Sequence, residues 1–305
     1  MRVIDTLTQG FNLTVGALAA LAIAAALDLL YWLGPRLVLG DAWRDLALSQ
    51  LQALPVDQTS LGPLQDVIDS AGRLNLLQVL SGALGFGGLW PLAVPSLLAG
   101  APEVEPIGPA WPLSSPLLIL LVFLALTLVG IFIGSLYLTL VARAVRRERV
   151  SGSYIMSRVL VTTGWIMLLD ILLFVVVFLV SIPLTLALLV ANLVHPTLAA
   201  LVGLFAVTLG VWLWLHGVFT LPAIVLDGLD PVRGFWRSFQ LVQRNLWATL
   251  GLLGLSLILS VGLGELWRLI GELDFAVPVA ILGNAFVGTA LTAAMMVFYL
   301  DRQKR

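Results

Sequence analysis

The sequence predicts an all-α, polytopic integral membrane protein with six transmembrane helices, juxtamembrane amphipathic helices and an external loop region. Its composition is the first reason: of 305 residues, 60% are hydrophobic and 11% are charged, whereas soluble domains contain about 45–50% apolar and about 25% charged residues. The mean hydropathy of +1.05 agrees. So few charges cannot cover a water-facing surface, which excludes soluble enzymes, nucleic-acid-binding proteins and disordered chains.

Six apolar segments are the second reason, because each is long enough to cross about 30 Å of hydrocarbon, which takes roughly 20 helical residues. The predicted spans are Phe11–Leu33, Pro116–Val141, Val159–Ile182, Leu198–Val225, Leu246–Leu269 and Phe275–Leu300. The third apolar stretch continues past Pro183, whose ring and missing N–H predict a kink or a break. We treat this stretch as one kinked helix. Residues 116–305 then form a five-span membrane domain.

Residues 1–33 are predicted to be an interfacial lead-in followed by the first span. Arg2, the apolar run after it and Ala24-Ala25-Ala26 also resemble a cleaved signal peptide. The apolar run continues through Leu33, however, and is therefore long enough to span the bilayer. An uncleaved anchor is favoured.

Residues 34–115 are predicted to be an external region, with seven acidic and three basic side chains. Within it, Leu74–Gly100 is apolar enough to be considered as a seventh span. Four glycines and two prolines interrupt this segment and disfavour a straight helix. A span there would also move Arg143–Arg149 to the other side of the membrane. An outer-leaflet or re-entrant cap is therefore favoured, and a true span is the alternative.

The arginines predict the orientation of the six spans. If the N-terminus is cytoplasmic, twelve of the sixteen basic residues lie on the cytoplasmic side, including those of Arg143–Arg149 and Arg302–Arg305. Cytoplasmic segments of membrane proteins carry an excess of Lys and Arg. The sequence therefore predicts that both termini are cytoplasmic.

Residues 230–247 form a predicted amphipathic helix before the fifth span. Asp230 suits the N-cap and Pro231 the first helical position. Polar side chains recur on one helical face: Arg233, Arg237, Gln240 and Arg244. A basic amphipathic helix lies in the headgroup plane, where arginines attract anionic lipid. The simpler interpretation is an anchor that fixes helix depth, and lipid binding or partner docking is the alternative. The candidate lipid-headgroup or interfacial residues are Arg233, Arg237, Arg244, Trp236 and Trp247.

A weak internal repeat links this helix to the N-terminus. At an offset of 228 residues, Phe11, Leu13 and Leu18 align with Phe239, Leu241 and Leu246. A fainter third lead-in falls at Ser151–Trp165. The repeated unit would be an interfacial helix that leads into a span.

Residues Pro222–Trp247 have the sequence PAIVLDGLDPVRGFWRSFQLVQRNLW, and Phe298–Arg302 have FYLDR. Together with Ala26–Pro35, these runs resemble the bacterial membrane domain associated with glycerophosphoryl diester phosphodiesterases and related six-span proteins. The resemblance implies a bacterial cytoplasmic membrane protein. It does not imply the phosphodiesterase reaction, which belongs to a separate soluble barrel, and neither His195 nor His216 stands in that barrel's motif.

The candidate polar side chains inside the predicted spans are Asp28, Asp170 and His216. Such groups are costly in a bilayer and need an explanation. A proton or cation relay is the functional interpretation, and hydrogen-bonded clasps or packed side chains are the favoured structural one. No metal or other cofactor is predicted, because the chain has no cysteine and only two distant histidines.

The sequence therefore predicts a non-enzymatic membrane protein with a scaffold or accessory role in envelope or lipid homeostasis. Its expected partners are the bilayer, anionic lipid headgroups and an unidentified membrane protein, but no nucleic acid. The alternative is a transporter or channel component that uses Asp28, Asp170 and His216. A third hypothesis, an intramembrane enzyme acting on lipid, would need external acids such as Glu103 and Glu105 to converge.

Overall fold

A computed structural model describes residues 2–52, 58–72, 74–82, 94–98, 107–148, 151–271 and 276–304. It shows an all-α polytopic membrane protein, as predicted, with one small sheet. The helices are α1 Val3–Thr14, α2 Leu18–Leu33, α3 Gly40–Gln52, α4 Gln58–Gly72, α5 Pro116–Arg146, α6 Gly152–Val194, α7 Pro196–Gly217, α8 Thr220–Asp227, α9 Pro231–Arg244, α10 Leu246–Gly271 and α11 Val277–Gln303. A 3₁₀ helix covers Leu76–Ser81, and the strands are β1 Arg36–Val38 and β2 Ala110–Pro112.

Among the described residues, five helical segments are long and apolar enough to cross a membrane, or six if the bent pair α1–α2 counts as one span. Helices α5, α6, α10 and α11 match four predicted spans, and α7 continued by α8 matches another. Most of their ends agree with the prediction within a few residues, because a run of about 20 apolar residues has few alternatives to a membrane helix.

The first predicted span, Phe11–Leu33, is not one continuous helix. Helices α1 and α2 are bent by 82° relative to each other, and the break falls at Val15, Gly16 and Ala17. Glycine and β-branched residues are weak helix formers. The Ala17 N–H closes a tight turn on the Thr14 carbonyl instead, at 2.9 Å.

Helix α1 packs closely along α11, the central helix of the bundle. A Cβ atom at Gly10 would lie 2.5 Å from the Ala290 carbonyl oxygen and 2.7 Å from the Ala294 Cβ, so only glycine permits this approach. The rings of Phe11 and Phe286 are 6.1 Å apart. The N-terminal lead-in is therefore part of the packed bundle.

The helix boundaries agree with the weak repeat in the sequence. Helix α1 begins at Val3 and α9 at Pro231, while α2 begins at Leu18 and α10 at Leu246, so both pairs are 228 residues apart. The third lead-in proposed at Ser151–Trp165 is not a separate helix, because these residues open the continuous helix α6.

Helix α6 is the longest element, with 43 residues, or about 65 Å at 1.5 Å per residue. It continues through Pro183, so the break considered for that position does not occur. A turn at His195 leads into α7, and the His195 Nδ1 accepts the Thr197 N–H at 3.2 Å. Along this α6–α7 hairpin most apolar side chains between 170 and 214 are exposed, as expected for a surface that faces lipid.

The region between the first two predicted spans contributes both a small sheet and part of the bundle core. Strands β1 and β2 pair in parallel, with Arg36 opposite Ala110; three-residue strands carry no periodicity from which they could be predicted. In the segment predicted as a cap or a seventh span, the described residues 74–82 and 94–98 contain the 3₁₀ helix, and its Leu77 and Leu80 are buried in the main core. The remaining residues of that segment, 83–93 and 99–100, lie outside the described residues, as do Glu103 and Glu105.

Candidate functional site

Asp28 on α2 is fully buried and binds a backbone turn. Its Oδ2 accepts the Leu97 N–H at 2.9 Å, and its Oδ1 accepts the Leu98 N–H at 3.3 Å and the Ser96 hydroxyl. The carboxylate thus ties residues 96–98 into the helix bundle. This geometry favours the clasp over the relay, because each bond between Asp28 and a described residue holds this turn in place.

His216 lies near the end of α7 in an aromatic cluster. Its Nδ1 is 2.8 Å from the Trp212 carbonyl oxygen, and its ring is centred 4.2 Å from Trp212 and 4.7 Å from Phe239. The side chain is buried. The arrangement is that of a packed histidine that joins α7 to α9.

Asp170 differs from the other two candidates. It is half-buried on α6, and its carboxylate forms no hydrogen bond or ion pair with any residue that the structure describes. No polar contact within the described ranges joins Asp28, Asp170 and His216 to one another. The structure therefore does not bring the three predicted intramembrane groups together.

Besides the polar face predicted from the arginine spacing, helix α9 has a face that was not predicted. The additional face consists of small residues: Gly234 packs on α8, where a Cβ atom would lie 3.3 Å from Ile224, and Ser238 is fully buried. The Ser238 hydroxyl donates to the His216 carbonyl oxygen at 2.5 Å and accepts the Phe219 N–H at 3.0 Å. These contacts place α9 antiparallel to the end of the preceding span.

The apolar side chains of α9 range from fully buried to exposed. Trp236 is 59% exposed and stacks on Phe239 with ring centroids 5.6 Å apart. Trp247, at the start of α10, is 84% exposed. Arg233 is also exposed, and its Nε lies 3.2 Å from the carboxylate of Asp230, the N-cap residue.

The end of α8 forms a junction that was not predicted from the sequence. The Arg146 guanidinium of α5 donates to the Leu226 carbonyl at 2.8 Å and lies 3.4 Å from the Asp227 carboxylate. Arg158 of α6 donates to the carbonyls of Val225 and Leu226 at 2.9 and 2.7 Å. Two arginines therefore satisfy the exposed carbonyls at the negative end of the helix.

Asp227 also connects α8 to the end of α11. Its Oδ2 accepts the Tyr299 hydroxyl at 2.6 Å and the Gln303 side-chain amide at 2.9 Å. The two sequence runs that carry the family resemblance, Pro222–Trp247 and Phe298–Arg302, are thus in direct contact. Their shared resemblance was the available signal, but spacing alone could not pair groups about 70 residues apart.

A basic cavity of about 230 Å³ lies beside this junction, between α9 and the end of α11. It combines two of the predicted arginines with a third that was not predicted, Arg302. The guanidinium of Arg302 lies 5.2 Å from the centre of the Phe298 ring and 3.9 Å from the Asp301 carboxylate. The residues that line this basic cavity are Arg237, Gln240, Leu241, Arg244, Asn245, Arg302 and Gln303.

The chemistry of the basic cavity is recognition of an anion, since guanidinium groups donate several hydrogen bonds and hold a fixed positive charge. Within the ranges that the structure describes, no group of three His, Asp or Glu side chains is placed to hold a metal ion. Comparisons of this chain with protein-family models, curated proteins and solved structures find no match.

Proposed function

We propose that the protein is a non-enzymatic, multi-pass protein of the bacterial cytoplasmic membrane with a scaffold or accessory role in envelope or lipid homeostasis. The observation that carries this proposal is the use of Asp28: its three hydrogen bonds to described residues hold residues 96–98 in place. His216 likewise supports helix packing. A cluster of arginine side chains lies at one end of the bundle, where α9 meets the end of α11.

The same end of the bundle supports the orientation that we propose. The end of α8 accepts hydrogen bonds from three other helices: from Arg146 at the end of α5, Arg158 near the start of α6 and Gln303 at the end of α11. These elements carry the arginine-rich segments, and positive charge marks the cytoplasmic face. We therefore place this face, and with it the C-terminus, in the cytoplasm, and the N-terminus beside it.

The chain contains no cysteine, so single introduced cysteines report this orientation directly. We expect Arg147→Cys to react with a membrane-impermeant maleimide only in inverted vesicles, and Trp111→Cys to react in intact cells. The opposite pattern would contradict the orientation.

The resemblance to the membrane domain associated with glycerophosphoryl diester phosphodiesterases remains part of this proposal. It is supported by the contact between the two runs that carry it, through Asp227, Tyr299 and Gln303. The role that we propose does not include a phosphodiester reaction.

The second candidate is a transporter, and Asp170 is the observation that favours it. A half-buried carboxylate on a lipid-exposed helix with no partner among the described residues is suited to proton or cation exchange. In proteoliposomes loaded with a pH-sensitive dye, the scaffold role predicts no proton flux above that of empty liposomes. Flux that disappears in Asp170→Asn would establish transport in its place.

A deletion strain tests the scaffold role itself. We expect the deletion to change the lipid composition or permeability of the envelope, and both wild type and Asp170→Asn to restore it. If the envelope of the deletion strain is unchanged, or if only a protein with an intact Asp170 restores it, the proposed role is wrong.

A further inference from the structure

We propose that the basic cavity between α9 and the end of α11 binds the phosphate group of an anionic lipid headgroup. This inference deepens the lipid-related role proposed above and rests on it. The proposed phosphate site combines two of the lipid-binding residues expected from the sequence, Arg237 and Arg244, with Arg302. Arg233 does not line this cavity and pairs with Asp230; it lies at the wider depression next to it.

The first feature that indicates an anionic ligand is the charge of the cavity. Three guanidinium groups line it; two carboxylates lie near them, Asp301 at 3.9 Å from Arg302 and Asp227, which accepts the side-chain amide of Gln303. The side chains of Arg244 and Gln240 form no hydrogen bond or ion pair with the residues that the structure describes. The cavity therefore has an excess of positive charge and donors available for a ligand.

The donor groups suit phosphate in particular. Arginine binds phosphate oxygens through two parallel N–H groups, and these charge-assisted hydrogen bonds are stronger than neutral ones. The carboxamide of Gln240 adds an N–H donor on the same side. A volume of about 230 Å³ admits a phosphate with a small polar substituent. A choline group would bring its own positive charge toward three arginines and is disfavoured.

The surroundings of the cavity indicate a lipid rather than a soluble phosphate. A wider depression of about 650 Å³ adjoins it and shares the side chains of Arg237, Gln240 and Gln303. Leu229, Val232 and Trp236 also line this depression, and Val232 and Trp236 are 67% and 59% exposed. A phosphate in the basic cavity therefore has an apolar surface beside it on which the rest of a lipid can lie.

Native mass spectrometry of the purified full chain tests the proposal with two lipids of equal acyl length. Phosphatidylglycerol is anionic and phosphatidylcholine is zwitterionic. We expect wild type to retain phosphatidylglycerol in preference to phosphatidylcholine. We expect Arg244→Gln to weaken phosphatidylglycerol binding about tenfold, because the variant loses a charge-assisted hydrogen-bond donor to the phosphate. Arg244→Lys keeps the charge and should retain part of the affinity.

Two controls distinguish the loss of a lipid contact from unfolding of the variant and from a general loss of positive charge. Arg244 is exposed and makes no bond to a described residue, so its replacement should leave the unfolding temperature unchanged. Arg147→Gln is the matched control, since it removes the same charge from an exposed position next to α5, away from the cavity. This control should keep the lipid preference of wild type.

Three outcomes would overturn the inference: no preference for phosphatidylglycerol in wild type, an equal loss of affinity in Arg147→Gln and Arg244→Gln, or displacement of phosphatidylglycerol by millimolar inorganic phosphate. The last would indicate a site for soluble phosphate. The flux and deletion experiments test the proposed role separately. If Arg244→Gln loses the lipid preference of wild type and still restores the envelope, the site is real but the role does not depend on it.

Discussion

Replacement of Asp28 by alanine gives the sharpest test of the clasp. The change removes an acceptor from two backbone N–H groups, those of Leu97 and Leu98, and from the Ser96 hydroxyl. A buried donor that loses its partner costs about 1–3 kcal/mol, and removal of a buried carboxylate offsets part of this. We expect the free energy of unfolding to fall by about 2–4 kcal/mol.

The free energy of unfolding of Asp28→Asn should lie between those of wild type and Asp28→Ala, because an amide keeps one acceptor oxygen but adds an N–H group that faces other donors. Asp170→Asn is the matched control, since it makes the same change at a carboxylate without a partner among the described residues. Its free energy of unfolding should stay unchanged or rise.

Unfolding by dodecyl sulfate in mixed micelles, followed by tryptophan fluorescence, measures all of these variants under one condition. The ten tryptophans of the chain supply the signal. If Asp28→Ala unfolds at the same dodecyl sulfate fraction as wild type, residues 96–98 do not depend on Asp28. The argument for a structural carboxylate, and with it the main support for the scaffold role, would then be refuted.

Three further variants probe the packing around α1, α9 and α8. Gly10→Ala should lower the unfolding temperature, because its Cβ would lie 2.5 Å from the Ala290 carbonyl oxygen, whereas Gly134→Ala meets nothing within 4 Å and should be neutral or stabilising. Ser238→Ala should cost about 1–3 kcal/mol, since it leaves the buried Phe219 N–H without its acceptor; an unchanged dodecyl sulfate midpoint would show that α9 is held by other contacts. Asp227→Ala should destabilise the end of α11 and speed hydrogen exchange there, and exchange at the wild-type rate would contradict the junction.

Much of the fold follows from hydrophobicity and length. The predicted spans that correspond to α5, α10 and α11 therefore agree well with these helices. The error in the first span has a local cause. Composition treats Val15 and Gly16 as apolar residues suited to a membrane, whereas their helix propensity is low and the chain turns there. A hydropathy argument cannot distinguish these two properties.

The faces of α9 show what residue polarity alone does not predict. The arginine spacing located the polar face correctly, but Gly234 and Ser238 were not assigned to a face. Small residues four apart permit close helix contact, and here they mark the surface that packs on α8. Side-chain size, in addition to polarity, was the signal that would have identified this face.

The junction at Asp227 and the basic cavity could not be derived from the sequence alone. Both depend on bringing the end of α11 to α9, and no periodicity encodes which helix ends are neighbours. Arg302 was assigned to a side of the membrane by charge, yet its place beside Arg237 and Arg244 depends on tertiary structure.

The length of α6 has a consequence for the membrane itself. Its apolar part, Val159–Val194, is about 54 Å long, nearly twice the hydrocarbon thickness. It stays within the hydrocarbon only if its axis is inclined by about 55° to the membrane normal, well beyond the usual tilt, or if the bilayer thickens around it. In a thinner bilayer the α6–α7 hairpin would tilt further from the membrane normal, and in a thicker bilayer it would tilt less. Since α11 is enclosed by other helices, bilayer thickness would change the angle between the hairpin and the rest of the protein.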